Sequence, residues 1–127
     1  MIEIHPIREK DKLVSLYKAA NIELNDDSMA VVASDGDEIL GNCLFDLTDE
    51  FFMLRSIEPS NDIYFADGLL RSALHVSAEN NIMTAYYAKT APVELLDKLK
   101  FIKNAENNEL DISKLFNSCK SCGYCKI

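Results

Sequence analysis

Stretches with a strand-like pattern and stretches with a helix-like pattern alternate along this sequence, and their order limits the folds that the chain can adopt. Short apolar and β-branched runs indicate strands, whereas apolar residues three and four positions apart indicate amphipathic helices. The order is β-α-β-β-β-α-β-α-β-β, with strands at 1–7, 29–33, 39–47, 51–59, 82–88, 101–102 and 110–112 and helices at 9–20, 62–79 and 92–99. It predicts an α/β (α+β) fold, in which a mixed, mainly antiparallel sheet carries helices on both faces.

The length and composition are those of one globular domain with a short tail. The sequence has 127 residues, of which 48% are hydrophobic and 27% are charged. We therefore expect one domain over residues 1–116 and a cysteine-rich tail over residues 117–127. The longest apolar runs are too short to span a membrane, and the first residues form no signal peptide, so we expect a cytoplasmic location.

The charge of the chain bears on its partners. The formal net charge is −8 at pH 7. Nucleic acids and anionic membranes bind through clustered lysine and arginine side chains, so this charge argues against both as partners. A site for a cationic amine is compatible with it, and so is a solvated acidic surface that only keeps the protein soluble.

Three short phrases support a family resemblance. Residues 35–41 (DGDEILG) form a strand-turn-strand phrase, residues 54–57 (LRSI) lead into the long helix, and residues 98–101 (KLKF) close the last helix with Lys100 in place of a glycine. In their order and spacing they resemble the GNAT superfamily of N-acetyltransferases, over roughly residues 2–112. The resemblance implies a GNAT-like fold, acetyl-CoA as the acetyl donor and a small-molecule or protein amine as the acceptor.

The resemblance also implies where acetyl-CoA binds, namely between the fourth and fifth strands, with its pyrophosphate on the N-terminus of the helix that follows the fourth strand. The family's glycine-containing phosphate motif falls best on residues 61–66, where Ala66 matches and Tyr64 replaces the first glycine. Cofactor binding is thereby assigned to Ile57, Tyr64, Phe65, Ala66 and Gly68. Asp62 and Asp67 lie in the same stretch, and they fit equally well a helix end that caps itself without a ligand.

An acetyl transfer to an amine needs a general acid and a general base. The family's usual acid is a tyrosine on the last helix, but Leu96 occupies that place and holds no proton to donate. Tyr86 or its neighbour Tyr87 on the fifth strand is the remaining candidate acid, with Tyr86 preferred. Glu58, at the end of the fourth strand, is the candidate base. The alternatives are packed aromatic residues on the strand and a solvated loop acid.

The tail has the most unusual chemistry in the sequence. Cys119, Cys122 and Cys125 are spaced C-x2-C-x2-C, and thiolates at such spacing bind zinc. A closed zinc site needs a fourth ligand, which Cys43, His5 or a cysteine from the second subunit of a homodimer could supply. A reversible disulfide between Cys119 and Cys122 and a reduced tail without fixed structure are the other interpretations.

Two functions are therefore open. The first is an N-acetyltransferase that transfers an acetyl group from acetyl-CoA to an amine. The second is a non-catalytic GNAT-like binding module whose tail binds a metal or senses thiol oxidation. The replaced glycine and tyrosine favour the second function, whereas a gap between the fourth and fifth strands would favour the first.

Overall fold

The computed structural model describes residues 2–59, 61–113 and 115, and within these ranges the chain forms seven strands and three helices. The strands are β1 (Ile2–Ile7), β2 (Ser28–Asp35), β3 (Glu38–Leu47), β4 (Phe52–Glu58), β5 (Ala85–Tyr87), β6 (Ile102–Asn104) and β7 (Glu109–Leu110). The helices are α1 (Lys10–Ala19), α2 (Ile63–Glu79) and α3 (Val93–Lys98). Their order along the chain is the order that the sequence pattern predicts.

The strands form one 7-stranded sheet in the order β1-β2-β3-β4-β5-β7-β6. Neighbouring strands are antiparallel, except that β4 and β5 are parallel. Strands joined by short turns run in opposite directions, whereas α2 crosses back over the sheet between β4 and β5 and makes that pair parallel. The predicted α/β class with a mixed, mainly antiparallel sheet is confirmed.

A hydrophobic core lies on each face of the sheet. The larger core lies beneath α2 and α3, and the smaller core lies beneath α1, so the predicted helices on both faces are confirmed. Burying one large apolar side chain stabilises a fold by roughly 1.5–3 kcal/mol. The largest fully buried side chains of the larger core are Phe45, Phe52, Phe101, Leu54, Ile57, Leu69, Leu70, Leu74, Leu96 and Leu110. No helix in the described part of the chain is long and apolar enough to cross a lipid bilayer.

Capping groups define both ends of α2. The side chain of Asp62 accepts a hydrogen bond from the backbone N–H of Phe65 at 3.1 Å, as an N-cap residue does. At the other end, the Oγ of Ser77 donates to the carbonyl of Ile82 at 2.6 Å, and the N–H of Ile82 donates to the carbonyl of Ser77 at 2.9 Å. These bonds tie Ile82 to the helix end, so β5 begins at Ala85 rather than at Ile82 as predicted.

Tyr17 joins α1 to the sheet. Its side chain is buried, and its hydroxyl donates to the carbonyl oxygens of Met29 at 2.7 Å and Phe45 at 2.9 Å. Burial, and after it the carboxylate of Asp46, raises the pKa of Tyr17 above its ordinary value, because both disfavour the phenolate. A neutral, hydrogen-bonded phenol therefore holds the helix against β2 and β3.

Replacing Tyr17 with phenylalanine tests this contact. We expect Tyr17→Phe to lower the free energy of unfolding by about 1–3 kcal/mol at pH 7, because buried carbonyl groups lose their donor. A tyrosine in the unfolded chain titrates near pH ~10. Since the folded-state pKa lies higher, the unfolded chain releases this proton first as the pH rises, and wild-type stability falls above about pH 10. The variant should lose less stability over that range in urea titrations.

Tyr64→Phe is the matched control, because the Tyr64 side chain is 91% exposed. It should leave stability unchanged at every pH. Burial also raises the pKa of the Cys43 thiol, which adds the same alkaline decline to all three proteins. If Tyr17→Phe were as stable as wild type at pH 7, that result would contradict the role given to the hydroxyl of Tyr17.

Candidate functional site

The parallel strands β4 and β5 pair over only the first part of β4. Their last pair joins Leu54 to Tyr87, and the N–H of Ala88 donates to the carbonyl of Leu54 at 2.8 Å. Beyond this point β4 runs on to Glu58, whereas the chain after β5 turns at Ala88 towards α3. The two strands therefore part and leave a gap between them.

A β-bulge lies where the strands part. Leu44 of β3 is opposite Ser56, and Phe45 of β3 is opposite Leu54, so Arg55 is an extra residue in β4. A bulge bends its strand and increases the local twist. The second half of β4 is thus turned away from the direction of β5 at the start of the gap.

The backbone N–H of Ile57 faces the gap. Residues of an antiparallel ladder alternate between those that hydrogen-bond across the pair and those whose backbone groups point to the other side. The carbonyl of Leu54 points to β5. Because Arg55 is an extra residue, the backbone groups of Ile57, which is opposite Cys43, point to the same side of β4 as those of Leu54. The cofactor-binding residue predicted on β4 therefore presents a main-chain donor to the opening.

An open cleft of about 570 Å³ lies just beyond the ends of β4 and β5. Asn61 and Ile63 form its wall at the N-terminus of α2, and residues 91–95 with Lys98 form its wall along α3. The cleft and the gap are adjacent because the chain enters α2 directly after β4 and enters α3 directly after β5.

The end of the cleft at α2 is suited to a negatively charged group. The first backbone N–H groups of a helix have no partner inside it, which leaves those of Ile63 and Tyr64 for a ligand or water, whereas Asp62 already accepts from Phe65. These amides, the helix dipole and the ammonium of Lys98 on the opposite wall favour an anion, whereas the carboxylates of Asp62 at the helix end and of Glu94 in the cleft lining oppose one.

The four residues of α2 that were assigned to cofactor binding lie in different surroundings. The side chain of Tyr64 is 91% exposed, so it does not close the cleft. Phe65 packs so near the sheet that a Cβ on Gly41 would lie 2.8 Å from its ring. Ala66 is buried in the larger core, and Gly68 faces β1. A ligand in the cleft would meet the backbone of this turn, and the assignments stay predictions.

Glu58 and Tyr86 lie on the same face of the sheet but at different positions along β4, since Tyr86 is opposite Met53 within the paired part and Glu58 is the last residue of β4. Their neighbours Ile57 and Tyr87 belong to the larger core, so Glu58 and Tyr86 point to the opposite face, where α1 lies. Glu58 is exposed, while Tyr86 is half-buried and contacts Phe51 edge to face at 5.8 Å between ring centroids. The ring of Tyr86 thus packs towards the start of β4 while Glu58 lies at its end, so the structure does not place the two side chains together, and their catalytic roles stay predictions.

Asn42 adds an oxygen atom to this face. The Oδ1 of Asn42 is buried, and it has no hydrogen-bond partner in the described part of the chain. Asn42 is opposite Val32 of the smaller core and opposite Glu58 on β4, so its side chain lies on the α1 face. A buried acceptor without a donor costs about 1–3 kcal/mol.

Other residues of the site do not follow from the sequence pattern. Nothing in the local sequence marks the bulge at Arg55, and residues 91–95 meet α2 only in the folded chain. In the sequence, Lys98 stands out only as part of the closing phrase of the last helix. Leu96, which occupies the place of the family's tyrosine, is fully buried in the larger core, so α3 contributes packing rather than an acid at that position.

The predicted zinc site lies outside the described residues, since Cys119, Cys122 and Cys125 all belong to residues 116–127. Cys43, one of the proposed fourth ligands, is fully buried in the larger core, and burial raises the pKa of its thiol. His5 is exposed on β1. Over residues 2–59, 61–113 and 115, no group of three or more His, Cys, Asp and Glu side chains could hold a metal ion. Zinc binding stays a prediction.

Solved structures share this fold. A predicted acetyltransferase from Clostridium acetobutylicum, solved with acetyl-CoA, is 18% identical with a TM-score of 0.61, and the match covers 90% of this chain and 98% of that chain. A GNAT family acetyltransferase from Elizabethkingia anophelis, solved with acetyl-CoA bound, is 14% identical with a TM-score of 0.53, covering 78% of this chain and 72% of that chain. No protein-family model and no curated protein matches the chain.

The fold predicted from the three phrases is thereby confirmed: the chain has the GNAT acetyltransferase fold. At 14% and 18% identity, the likeness establishes the fold and not the reaction. What the chain does must be argued from its own gap, cleft and side chains.

Two glycine substitutions test the packing around the site. A Cβ on Gly41 would lie 2.6 Å from the carbonyl oxygen of Glu58, so we expect Gly41→Ala to lower the free energy of unfolding by about 1–3 kcal/mol. A Cβ on Gly68 would meet Ile4 at an ordinary 3.5 Å, so Gly68→Ala should raise stability by about 1 kcal/mol through helix propensity. Urea unfolding of both variants measures the difference, and equal stabilities would contradict the close packing at Gly41.

Proposed function

We propose that this protein is an N-acetyltransferase that transfers the acetyl group of acetyl-CoA to an amine. The observation that carries the proposal is the gap between β4 and β5, which opens beside the first turn of α2 and continues into the cleft. The two solved structures of the same fold contain acetyl-CoA. The acceptor is a small-molecule or protein amine.

The residues around the gap fit an acetyl-CoA molecule. The edge of β4 beyond Leu54 offers main-chain groups that the amides of a pantetheine arm can pair with. The first-turn N–H groups of α2, at Ile63 and Tyr64, and the ammonium of Lys98 can bind the pyrophosphate. Tyr64 and Phe65 take part through their backbone. Ala66, which is buried in the larger core, and Gly68, which faces β1, would support the turn without touching the cofactor.

When bound, acetyl-CoA supplies a thioester carbonyl that an amine can attack. The N–H of Ile57 donates to the carbonyl oxygen and stabilises the negative charge that develops there. Glu58 accepts the proton that the ammonium of the acceptor must lose before it attacks. The hydroxyl of Tyr86 donates a proton to the departing sulfur. A C–N bond would form and the C–S bond would break, and the second proton that the nitrogen loses would restore the hydroxyl of Tyr86, so the products would be the amide and free coenzyme A.

The acceptor approaches from the α1 face, because Glu58 and Tyr86 both lie there. The net charge of −8 favours the approach of a cationic acceptor.

A second candidate is a GNAT-like binding module without catalysis, and two observations favour it. Leu96 leaves the last helix without the family's acid, and the carboxylate of Asp62 stands at the N-terminus of α2, where it opposes an anion. This candidate predicts no acetyl transfer to any amine. That prediction holds whether or not the tail cysteines bind a metal or form a disulfide. The homodimer also stays a prediction.

Binding of the donor can be measured by isothermal titration calorimetry with acetyl-CoA and coenzyme A. We expect wild type to bind both, and Lys98→Ala to bind up to about fivefold more weakly, because it loses one partly exposed charge contact. Lys10→Ala, which removes a lysine from α1 on the other face, is the matched control and should bind as wild type does. The proposal fails if wild type binds neither compound.

Glu58→Gln and Tyr86→Phe test the chemistry. Each variant should bind acetyl-CoA as wild type does but acetylate an amine acceptor about 10²–10⁴-fold more slowly, because a proton transfer is lost. A panel of polyamines, amino acids and lysine peptides supplies acceptors, and mass spectrometry detects the acetylated product. Acetyl-CoA binding without transfer to any acceptor by wild type would support the non-catalytic candidate. Undiminished rates in both variants would contradict the assigned roles.

A further inference from the structure

Arg55, the extra residue of the bulge, makes a half-buried ion pair. Its Nη1 lies 2.8 Å from Oδ2 of Asp46 on β3, and the side chains of Arg55 and Asp46 are 19% and 12% exposed. A charge-assisted hydrogen bond in such surroundings is short and strongly directional. Breaking a pair of this kind is unfavourable, because one charge is left behind without its partner.

Asp46 is itself held in place from β2 and the loop before it. Its Oδ1 accepts a hydrogen bond from the Oγ of Ser28 at 3.1 Å, and its Oδ2 accepts one from Nδ2 of Asn25 at 3.3 Å. The carboxylate is thus bound to Asn25, Ser28 and Arg55 together. It provides a fixed point in the rigid part of the sheet against which the Arg55 side chain is oriented.

The backbone of Arg55 reaches to the other side of the gap. Its carbonyl oxygen accepts a hydrogen bond from the Oγ1 of Thr90 at 2.7 Å. Thr90 belongs to the turn in which the N–H of Ala91 donates to the carbonyl of Ala88 at 3.0 Å, just before α3. One residue therefore joins β3, the bulge of β4 and the turn that forms the opposite side of the gap.

We propose that Arg55 is a positioning residue, whose ion pair with Asp46 holds the β4 bulge and thereby sets the opening between β4 and β5. The ladder on either side of a bulge can slip by one residue unless something fixes the register. A slip at Arg55 would turn the N–H of Ile57 away from the gap. This role for Arg55 deepens the proposed function. Its test by acetyl-CoA binding rests on that function, whereas its test by hydrogen–deuterium exchange depends only on the fold.

The test compares Arg55→Met, which keeps the length of the side chain but loses its charge, with Arg55→Lys, which keeps the charge. Ser77→Ala is the control for stability, because it removes the buried 2.6 Å hydrogen bond to Ile82 at the far end of α2. Each protein is measured by hydrogen–deuterium exchange over residues 55–59 and 88–91 and by calorimetric titration with acetyl-CoA.

We expect Arg55→Met to exchange faster than wild type in these two segments and to bind acetyl-CoA about tenfold or more weakly, because a small displacement of the donor groups is enough to weaken binding. Arg55→Lys should lie closer to wild type in both measurements. Ser77→Ala should exchange faster near residues 77–82 and bind acetyl-CoA with wild-type affinity.

The proposal is overturned if both segments of Arg55→Met exchange at the wild-type rate. It is also overturned if Ser77→Ala loses as much affinity for acetyl-CoA as Arg55→Met does. If wild type binds no acetyl-CoA, the proposed function fails, and the exchange data alone decide the role of Arg55. If Arg55→Met does not fold, Thr90→Val replaces it, since that variant removes only the donor to the Arg55 carbonyl. Faster exchange over residues 55–59 in Thr90→Val then supports the inference, and unchanged exchange there refutes it.

Discussion

The site depends on the early parting of β4 and β5. A parallel pair forms there because α2 carries the chain back across the sheet, and the pair stays short because the bulge at Arg55 bends β4 and the chain after β5 turns into α3. If the two strands were paired as far as Glu58, the ladder would use the main-chain donors on that side of β4. The short pairing leaves the N–H of the buried residue Ile57 on the side of β4 that β5 does not reach, near the N-terminus of α2.

Packing makes this opening a fixed part of the fold. One side of α2 is buried in the larger core, and Phe65 in its first turn lies against Gly41 and the end of β4. A side chain at position 41 would push Glu58 and Phe65 apart. The distance between the end of β4 and the first turn of α2 is thus set by core contacts and does not depend on a ligand.

The two sides of the gap differ in polarity. On the side of α2, helix amides, Lys98 and Glu94 line the cleft, while on the side of α1 the carboxylate of Glu58 is exposed at the end of β4. Under the proposed function, an anionic donor and a cationic acceptor would approach the gap from opposite faces of the sheet.

The sequence by itself determined the order of the elements, the helices on both faces and the GNAT-like fold. The reason is that hydrophobic periodicity and helix capping are local properties of the chain. Asp62, for example, caps α2 through a residue three positions away. The sequence also pointed to Ile57, whose N–H lies on the side of the gap, while the roles assigned to Glu58 and Tyr86 stay predictions. Only the tertiary structure decided the start of β5, the bulge at Arg55 and the cleft wall along α3. Those features depend on contacts between residues far apart in the chain, and such contacts leave no periodic signal in the sequence.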